Sequence, residues 1–217
     1  MSILSWLLDL LYPPKCVVCG KLLTVKAPVC PHCLDALPEF DGAAPSVRFT
    51  SGGAVSFFYE GKLRESFLRF KFGGSAYYAQ TYGAWMAHTI CDKLAGTYDV
   101  LTWAPVSRAR KRKRGYDQSA LLCRALGARL GLEPVQTLRK IKDPPAQSTL
   151  AGAEQRRANV SGAYRAEKPE RFAGKRVLII DDIVTTGATL AECSRTLLQA
   201  GASDVVYAAF AAPRKQD

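Results

Sequence analysis

The segment from residue 177 to residue 190 constrains the fold more than any other part of the chain, because it reads VLIIDDIVTTGATL. Four consecutive apolar residues are typical of a strand buried in a parallel sheet, and a helix is expected from Gly187 to Ala200. Asp181 and Asp182 follow the strand, at the sheet edge where α/β proteins bind ligands. Free N–H groups at a helix start suit a phosphate monoester. The candidate phosphate-binding residues are Ile183, Val184, Thr185, Thr186, Gly187, Ala188 and Thr189.

The two adjacent carboxylates predict a second part of the ligand. They would repel a phosphate unless they face other groups, and ionised carboxylates only accept hydrogen bonds, so sugar hydroxyls are suitable partners. The segment therefore predicts a ligand with a ribose diol and a 5-phosphate. The alternative is a turn in which Asp and Thr merely cap a helix, which leaves several of these side chains without a role.

Strand-like and helix-like segments alternate along most of the chain. This alternation predicts an α/β fold, in which helices flank a parallel sheet. Strands are expected at residues 54–59, 98–104, 135–138, 176–180 and 204–210, and helices at residues 61–70, 76–94, 117–130 and 187–200. The expected domains are residues 1–45, an N-terminal helix with a small metal-binding unit, and residues 50–217.

Four of the seven cysteines form two CxxC pairs separated by ten residues, and they are Cys16, Cys19, Cys30 and Cys33. This spacing predicts a closed, structural Zn²⁺ site with four thiolate ligands. The odd number of cysteines, together with the absence of a secretory signal pattern, argues against a disulfide framework. We therefore expect a cytoplasmic protein.

The formal net charge is +11, and residues 100–160 contribute thirteen Lys and Arg against four Asp and Glu. Such a field favours polyanions. A basic loop is expected at residues 105–115, with its contacts made by Arg108, Arg110, Lys111, Arg112, Lys113, Arg114 and Gly115. Its partner can be a diphosphate, single-stranded nucleic acid or only solvent. Nucleic acid would also need aromatic rings for base stacking, and the candidates, each as easily core residues, are Phe70, Phe72, Tyr77, Tyr78 and Tyr116.

Two further segments are each open to two interpretations. Residues 139–159 are basic and contain prolines, which fits either a mobile lid over a bound substrate or an ordered surface loop. The apolar run from Ile3 to Tyr12 is about ten residues long and contains Asp9, whereas a membrane span needs about 20 apolar residues. It predicts an amphipathic helix docked on the protein, with peripheral membrane or partner contact as the alternative.

The acid–threonine segment resembles the signature of type I phosphoribosyltransferases, and the whole chain resembles the ComF family, which also includes GntX-like proteins. The matching motifs are Pro14-x-Cys16-x-x-Cys19-Gly20, Cys30-x-x-Cys33, Tyr59-x-Gly61-x-Leu63-Arg64, Lys71-Phe72-x-Gly74, Arg112-x-Arg114-Gly115-Tyr116-Asp117-Gln118, Gln147, Arg156-x-x-Asn159 and the Asp181-Asp182 loop. Asp117 departs from the family, in which Asn is commoner at this position. The resemblance implies a type I phosphoribosyltransferase fold with a small N-terminal zinc ribbon that has four cysteine ligands.

The resemblance also implies functions. Asp181 and Asp182 would act at the catalytic centre by binding the ribose 2- and 3-hydroxyls of 5-phosphoribosyl-1-diphosphate, with residues 185–189 on the 5-phosphate and Mg²⁺ on the diphosphate. The resemblance further implies that the protein handles incoming single-stranded DNA in the cytoplasm during natural transformation, beside a DNA helicase. One hypothesis is an active phosphoribosyltransferase of base salvage with no direct DNA role. Another is a DNA-binding protein with a regulatory ligand site, and a third is a structural zinc adaptor.

Overall fold

The computed structural model describes residues 13–24, 27–142 and 161–214. The helices are α1 (Pro31–Asp35), α2 (Gly61–Phe72), α3 (Tyr78–Lys93), α4 (Arg108–Arg114), α5 (Gln118–Leu130) and α6 (Ala188–Gln199). The strands are β1 (Gly52–Phe58), β2 (Val100–Trp103), β3 (Leu138–Lys140), β4 (Tyr164–Ala166), β5 (Arg176–Ile183) and β6 (Asp204–Ala212). The expected helix at residues 3–12 and most of the expected lid, including Gln147, Arg156 and Asn159, lie outside the described residues.

Four of the strands form one parallel sheet in the order β1-β6-β5-β2. Alternate residues of β5 face the two sides of this sheet. Leu178 and Ile180 pack in a cluster with residues of α2, α3 and α5, whereas Val177 and Ile179 pack with residues of α6 and β4. All four side chains are fully buried, which accounts for the continuous apolar run in the sequence. The expected parallel sheet with helices on both faces is confirmed.

The expected strand at residues 135–138 was wrong in position and partner. Its backbone makes one bond to the parallel sheet, in which the Val135 N–H donates to the Leu101 carbonyl. Pro134 has no N–H to extend that pairing. The strand that forms instead, β3, begins at Leu138 and pairs antiparallel with β4 in a separate two-stranded sheet. A four-residue segment with two apolar and two polar side chains carries no information on which strand it pairs with.

The prediction of a basic loop at residues 105–115 was also wrong, because residues 108–114 form helix α4. The Ser107 hydroxyl caps its start by accepting a hydrogen bond from the Arg110 N–H, and Gly115 ends it at φ 84°. Basic side chains fill its last turn, where the helix macrodipole favours positive charge. None of its residues is buried. The helix therefore lacks the apolar period by which a helix is recognised in a sequence.

The cysteine-rich segment packs directly on α2. Cys16, Val17 and Cys33 belong to the same buried cluster as residues of α2 and α3. The Val17 carbonyl accepts a hydrogen bond from the Ser66 hydroxyl, and the Val18 carbonyl accepts one from the Arg69 guanidinium. Among the described residues, no helix is both long and apolar enough to cross a membrane.

Candidate functional site

Two neighbouring strands deliver the acid pair and the basic helix to one edge of the sheet. β2 and β5 are parallel, and Trp103 at the end of β2 lies opposite Ile180 in β5. The chain continues from Trp103 toward α4 and from Ile180 directly into Asp181. Sequence reasoning placed both segments at this edge, and the register of the two strands confirms it.

Asp181 is buried beneath this edge. Its Oδ1 atom accepts hydrogen bonds from the Ser119 hydroxyl at 3.2 Å and from the Asp182 N–H at 2.8 Å. Burial raises the pKa of Asp181 to about 7, and the neighbouring charge of Asp182 adds to the rise. The carboxyl group is therefore held partly protonated near neutral pH.

Asp182 is bound by a cation that sequence reasoning left without a role. The Nζ atom of Lys71, in the last turn of α2, lies 2.7 Å from the Asp182 Oδ2 atom, and the two side chains are 15% and 16% exposed. The Asp182 Oδ1 atom accepts a hydrogen bond from the Ile183 N–H at 2.6 Å. The motif Lys71-Phe72-x-Gly74 was the one available signal, but it did not say which group the lysine meets.

In the turn that follows Asp182, only some of the candidate phosphate-binding residues are accessible to a ligand. The Val184 side chain is buried and its N–H donates to the Ala211 carbonyl, whereas Thr185 is exposed. Gly187 adopts φ 71° and begins α6 without a side-chain cap. A cavity of about 310 Å³ adjoins the turn, lined in part by Arg48, Thr186, Gly187, Ala188 and Arg195. Thr186 and Ala188 therefore border this cavity as partly exposed residues, whereas Gly187 borders it but is itself buried.

Two residues pack closely round this turn. A Cβ atom added at Gly187 would lie 2.9 Å from the Val47 Cγ2 atom, so the segment before β1 closes on the glycine. Burial raises the pKa of the Tyr164 phenol well above its usual range, and a hydrogen bond with Thr189 opposes part of that shift. Thr189 is thus engaged by β4, while Thr185 and Thr186 are not bound in this way by any described side chain.

The end of the basic helix α4 is tied to the end of α2. The Arg114 guanidinium donates to the Gln118 Oε1 atom at 2.9 Å, and the Gln118 amide donates to the Lys71 carbonyl at 3.3 Å. The Tyr116 hydroxyl donates to the Phe70 carbonyl. The helix-end frame, defined here as residues 70–72 and 114–118, therefore joins the basic helix to the lysine that binds Asp182.

Asp117 completes the connection between α4 and α5. Its Oδ1 atom accepts from the Ala120 N–H at 3.1 Å and its Oδ2 atom from the Val106 N–H at 3.0 Å. A carboxylate can accept on both oxygens, whereas an amide offers only one acceptor. The departure from the family's commoner Asn thus closes the loop before α4, and burial raises the pKa of Asp117.

The four cysteines of the two CxxC pairs come together as expected. Their Sγ atoms all lie within 4.8 Å of one another, and those of Cys19 and Cys30 are 3.9 Å apart. Zn–S bonds of about 2.3 Å in a tetrahedral site imply S···S distances of about 3.8 Å. Burial raises the pKa of Cys16, but nearby backbone N–H groups outweigh it and hold the pKa at about 6. The residues therefore fit structural zinc, with Cys16, Cys19, Cys30 and Cys33 as ligands.

Comparison with known proteins reproduces this two-part arrangement. Residues 118–217 match the phosphoribosyl transferase domain, and residues 7–44 match the double zinc ribbon domain. Competence protein F of Haemophilus influenzae is 27% identical over 201 residues, which are 88% of this chain and 82% of that protein. This chain belongs to the ComF family. The expected type I phosphoribosyltransferase fold with an N-terminal zinc ribbon is thereby confirmed.

Further relatives are similar to this ComF chain over shorter stretches. Competence protein ComFC of Bacillus subtilis is 29% identical over 143 residues, or 66% of this chain and 56% of that protein. The DNA utilization protein YhgH of Salmonella typhi is 37% identical over 108 residues, or 49% of this chain and 46% of that protein. The matched region therefore spans about half the length of the YhgH relatives.

Proposed function

We propose that this ComF chain binds 5-phosphoribosyl-1-diphosphate with Mg²⁺ and handles single-stranded DNA during natural transformation. The observation that carries the proposal is the edge formed by β2 and β5, where Asp182, the turn before α6 and the basic helix α4 lie together. A sugar hydroxyl, a phosphate and a diphosphate each find a chemically suited partner within this one edge.

In this proposal the acid pair binds the ribose and the turn binds the 5-phosphate. Asp182 offers carboxylate oxygens to the 2- and 3-hydroxyls once Lys71 moves aside. Asp181 accepts a hydrogen bond from the Asp182 N–H and so holds Asp182 in position for this contact. Residues 185–189 receive the 5-phosphate. Lys71 neutralises one carboxylate, which lowers the repulsion that an approaching phosphate meets.

Mg²⁺ enters the proposal with the diphosphate. Among the described residues, the four cysteines form the one group of three or more candidate ligands close enough to hold a metal ion, and in this proposal Mg²⁺ is held by the diphosphate oxygens. Mg²⁺ bound to phosphate oxygens would neutralise charge on the leaving diphosphate. Any transfer reaction would then depend on positioning and on electrostatic stabilisation by α4.

Calorimetric titration tests the ligand. Wild-type protein should bind 5-phosphoribosyl-1-diphosphate in the presence of Mg²⁺, and Asp182→Asn should weaken binding about tenfold or more, the loss of a charged hydrogen bond. Asp99→Asn is the matched control, because Asp99 pairs with Arg176 at the opposite end of the sheet. Equal affinity in the wild type and Asp182→Asn would overturn the assignment.

A second assay separates an enzyme from a regulatory binding protein. Diphosphate release is measured with a panel of nucleobases as acceptors. Release that is lost in Asp182→Asn indicates a phosphoribosyltransferase of base salvage. Ligand binding without release, together with DNA binding, indicates a regulatory site.

The DNA role draws support from charge and from the relatives, which are named for competence and DNA utilization. Arg108, Lys111, Arg112 and Lys113 of α4 are exposed. Single-stranded DNA binding should weaken steeply with salt, and replacing Lys111, Arg112 and Lys113 by Ala should reduce that slope.

A competence DNA helicase is the proposed protein partner and the cytoplasm the proposed location. Co-elution with the cognate helicase in size-exclusion chromatography would test the partner.

A further inference from the structure

Five aromatic residues were open to two interpretations in the sequence, as base-stacking rings or as core. The structure divides them. Phe70 and Tyr78 are buried, and the partly buried Tyr116 is held by its bond to Phe70. Phe72 and Tyr77 are instead 63% and 62% exposed. These two rings flank the turn of residues 73–76 that connects α2 to α3.

We infer that Phe72 and Tyr77 form a stacking platform for the bases of single-stranded DNA, whose phosphates lie along α4. The inference rests on the proposed DNA role and deepens it by naming the surface. The occupant is argued from charge, since α4 consists of six basic residues and one alanine and none of them is buried. Exposed rings beside a basic track are the combination by which proteins bind single strands without sequence preference.

The platform is joined to the basic helix by a direct contact. The Arg114 guanidinium carbon lies 5.0 Å from the centre of the Phe72 ring, within range of a cation–π interaction. Arg114 is the last residue of α4 and Phe72 the last residue of α2, so the ends of the two helices meet at this pair. A strand whose phosphates follow α4 thus meets Phe72 at the C-terminal end of that helix.

The platform is also held in place before any ligand arrives. The helix-end frame fixes α2 and α4 through the Tyr116–Phe70 and Gln118–Lys71 hydrogen bonds. On the other side of the turn, the Tyr77 ring packs edge-on against Tyr78, with centres 4.7 Å apart. Rings fixed in this way lose little conformational freedom when a base stacks on them.

The experiment uses full-length protein and two labelled probes, an oligothymidylate of about 15 nucleotides and an abasic strand of the same length. Both probes carry the same phosphates, but only the oligothymidylate has bases that can stack on the rings. Wild-type protein should therefore bind the oligothymidylate more tightly than the abasic strand. Phe72→Ala and Tyr77→Ala should each lose about fivefold or more of affinity for the oligothymidylate and little for the abasic strand. The salt slope should stay unchanged, and Phe72→Trp should restore binding.

Phe49→Ala is the matched control. Phe49 is 43% exposed and lies under the Arg48 guanidinium at 5.1 Å, so it is a second arginine–ring pair, on the segment before β1 that lines the cavity beside the turn before α6. Its removal should leave both probes unaffected. Equal losses in Phe49→Ala and Phe72→Ala, or no loss in Phe72→Ala and Tyr77→Ala, would overturn the platform while DNA binding stands.

Other results bear on the wider proposal. If wild-type protein binds neither probe, both the platform and the DNA role are wrong, whereas the ligand site is judged separately by calorimetry. A preference of the platform for duplex DNA or for a protein partner over the single strand would equally overturn the inference. Binding of 5-phosphoribosyl-1-diphosphate to Phe72→Ala at wild-type affinity shows that a lost DNA signal does not come from misfolding.

Discussion

Lys71 and Asp182 form an ion pair with 2.7 Å between Nζ and Oδ2, and it joins the last turn of α2 to the end of β5. α2 also packs on the cysteine-rich segment through Ser66 and Arg69. One helix therefore contacts the backbone between Cys16 and Cys19 at one place and the acid pair at another. The Lys71 ammonium group offsets the negative charge of these two adjacent carboxyl groups in a mostly buried site.

Replacing Lys71 with Met should raise the pKa of Asp181. The Lys71 ammonium group opposes the effect of burial on Asp181, so its removal should shift the apparent pKa upward by on the order of one unit. Carboxyl-carbon NMR titration of aspartate-labelled protein measures the shift. Lys71→Arg keeps the charge and should titrate like the wild type. An unchanged titration of Asp181 in Lys71→Met would show that the ion pair does not control this carboxyl group.

Asp181→Asn should change how stability depends on pH. The folded pKa of Asp181 is about 7, above the ordinary value of 3.8, so between these values the folded state retains a proton that the unfolded state has lost. The free energy of unfolding therefore falls as pH rises through this window. Asn keeps the acceptor for Ser119 and removes the titration, so the variant should gain stability relative to the wild type, on the order of 2 kcal/mol by about pH 8.

Urea unfolding at several pH values between about 5 and 8 measures this difference. Asp99→Asn is the control, because the pKa of Asp99 is lowered to about 2 by Arg176 and its titration lies below the window. A stability difference between Asp181→Asn and wild type that stays constant with pH would contradict the buried, partly protonated carboxyl group.

Gly187→Ala should destabilise the protein more than Gly174→Ala. Both glycines adopt φ 71°, so each alanine carries the strain of a left-handed residue, about 1–2 kcal/mol. At Gly174 no atom lies within 4 Å of the new methyl group, whereas at Gly187 the Val47 Cγ2 atom lies 2.9 Å away. The crowding should cost about 1–3 kcal/mol more. Denaturant unfolding of both variants measures the difference, and equal losses would mean that Val47 moves aside freely.

Removal of a cysteine ligand should release zinc and loosen the packing on α2. Purified protein should contain about one zinc ion per chain by elemental analysis. Cys16→Ser should lose the metal and several kcal/mol of stability, because metal binding and folding of so small a segment are coupled. Cys91, an exposed residue on α3, provides the control, and Cys91→Ser should keep both. Full zinc content in Cys16→Ser would contradict the ligand assignment.

The sequence alone determined the central strand, the acid pair and the cysteine ligands. Each of these signals is local: four buried residues in a row at Val177 to Ile180, two adjacent carboxylates, and two CxxC pairs. A local pattern suffices because a strand buried on both faces and a thiolate pair at a fixed spacing have few alternative structures. The order of strands and helices from Gly52 onward followed from the same kind of pattern, apart from β3, β4 and α4.

Only the tertiary structure decided which groups meet. Asp181 and Asp182 are chemically identical neighbours, yet burial beside Ser119 and contact with Lys71 give them different surroundings. Phe70 and Phe72 stand two residues apart, and the packing of α2 buries one and exposes the other. Such differences depend on contacts between residues far apart in the chain. Composition and periodicity do not encode those contacts, because burial and charge at a side chain are set by everything packed around it.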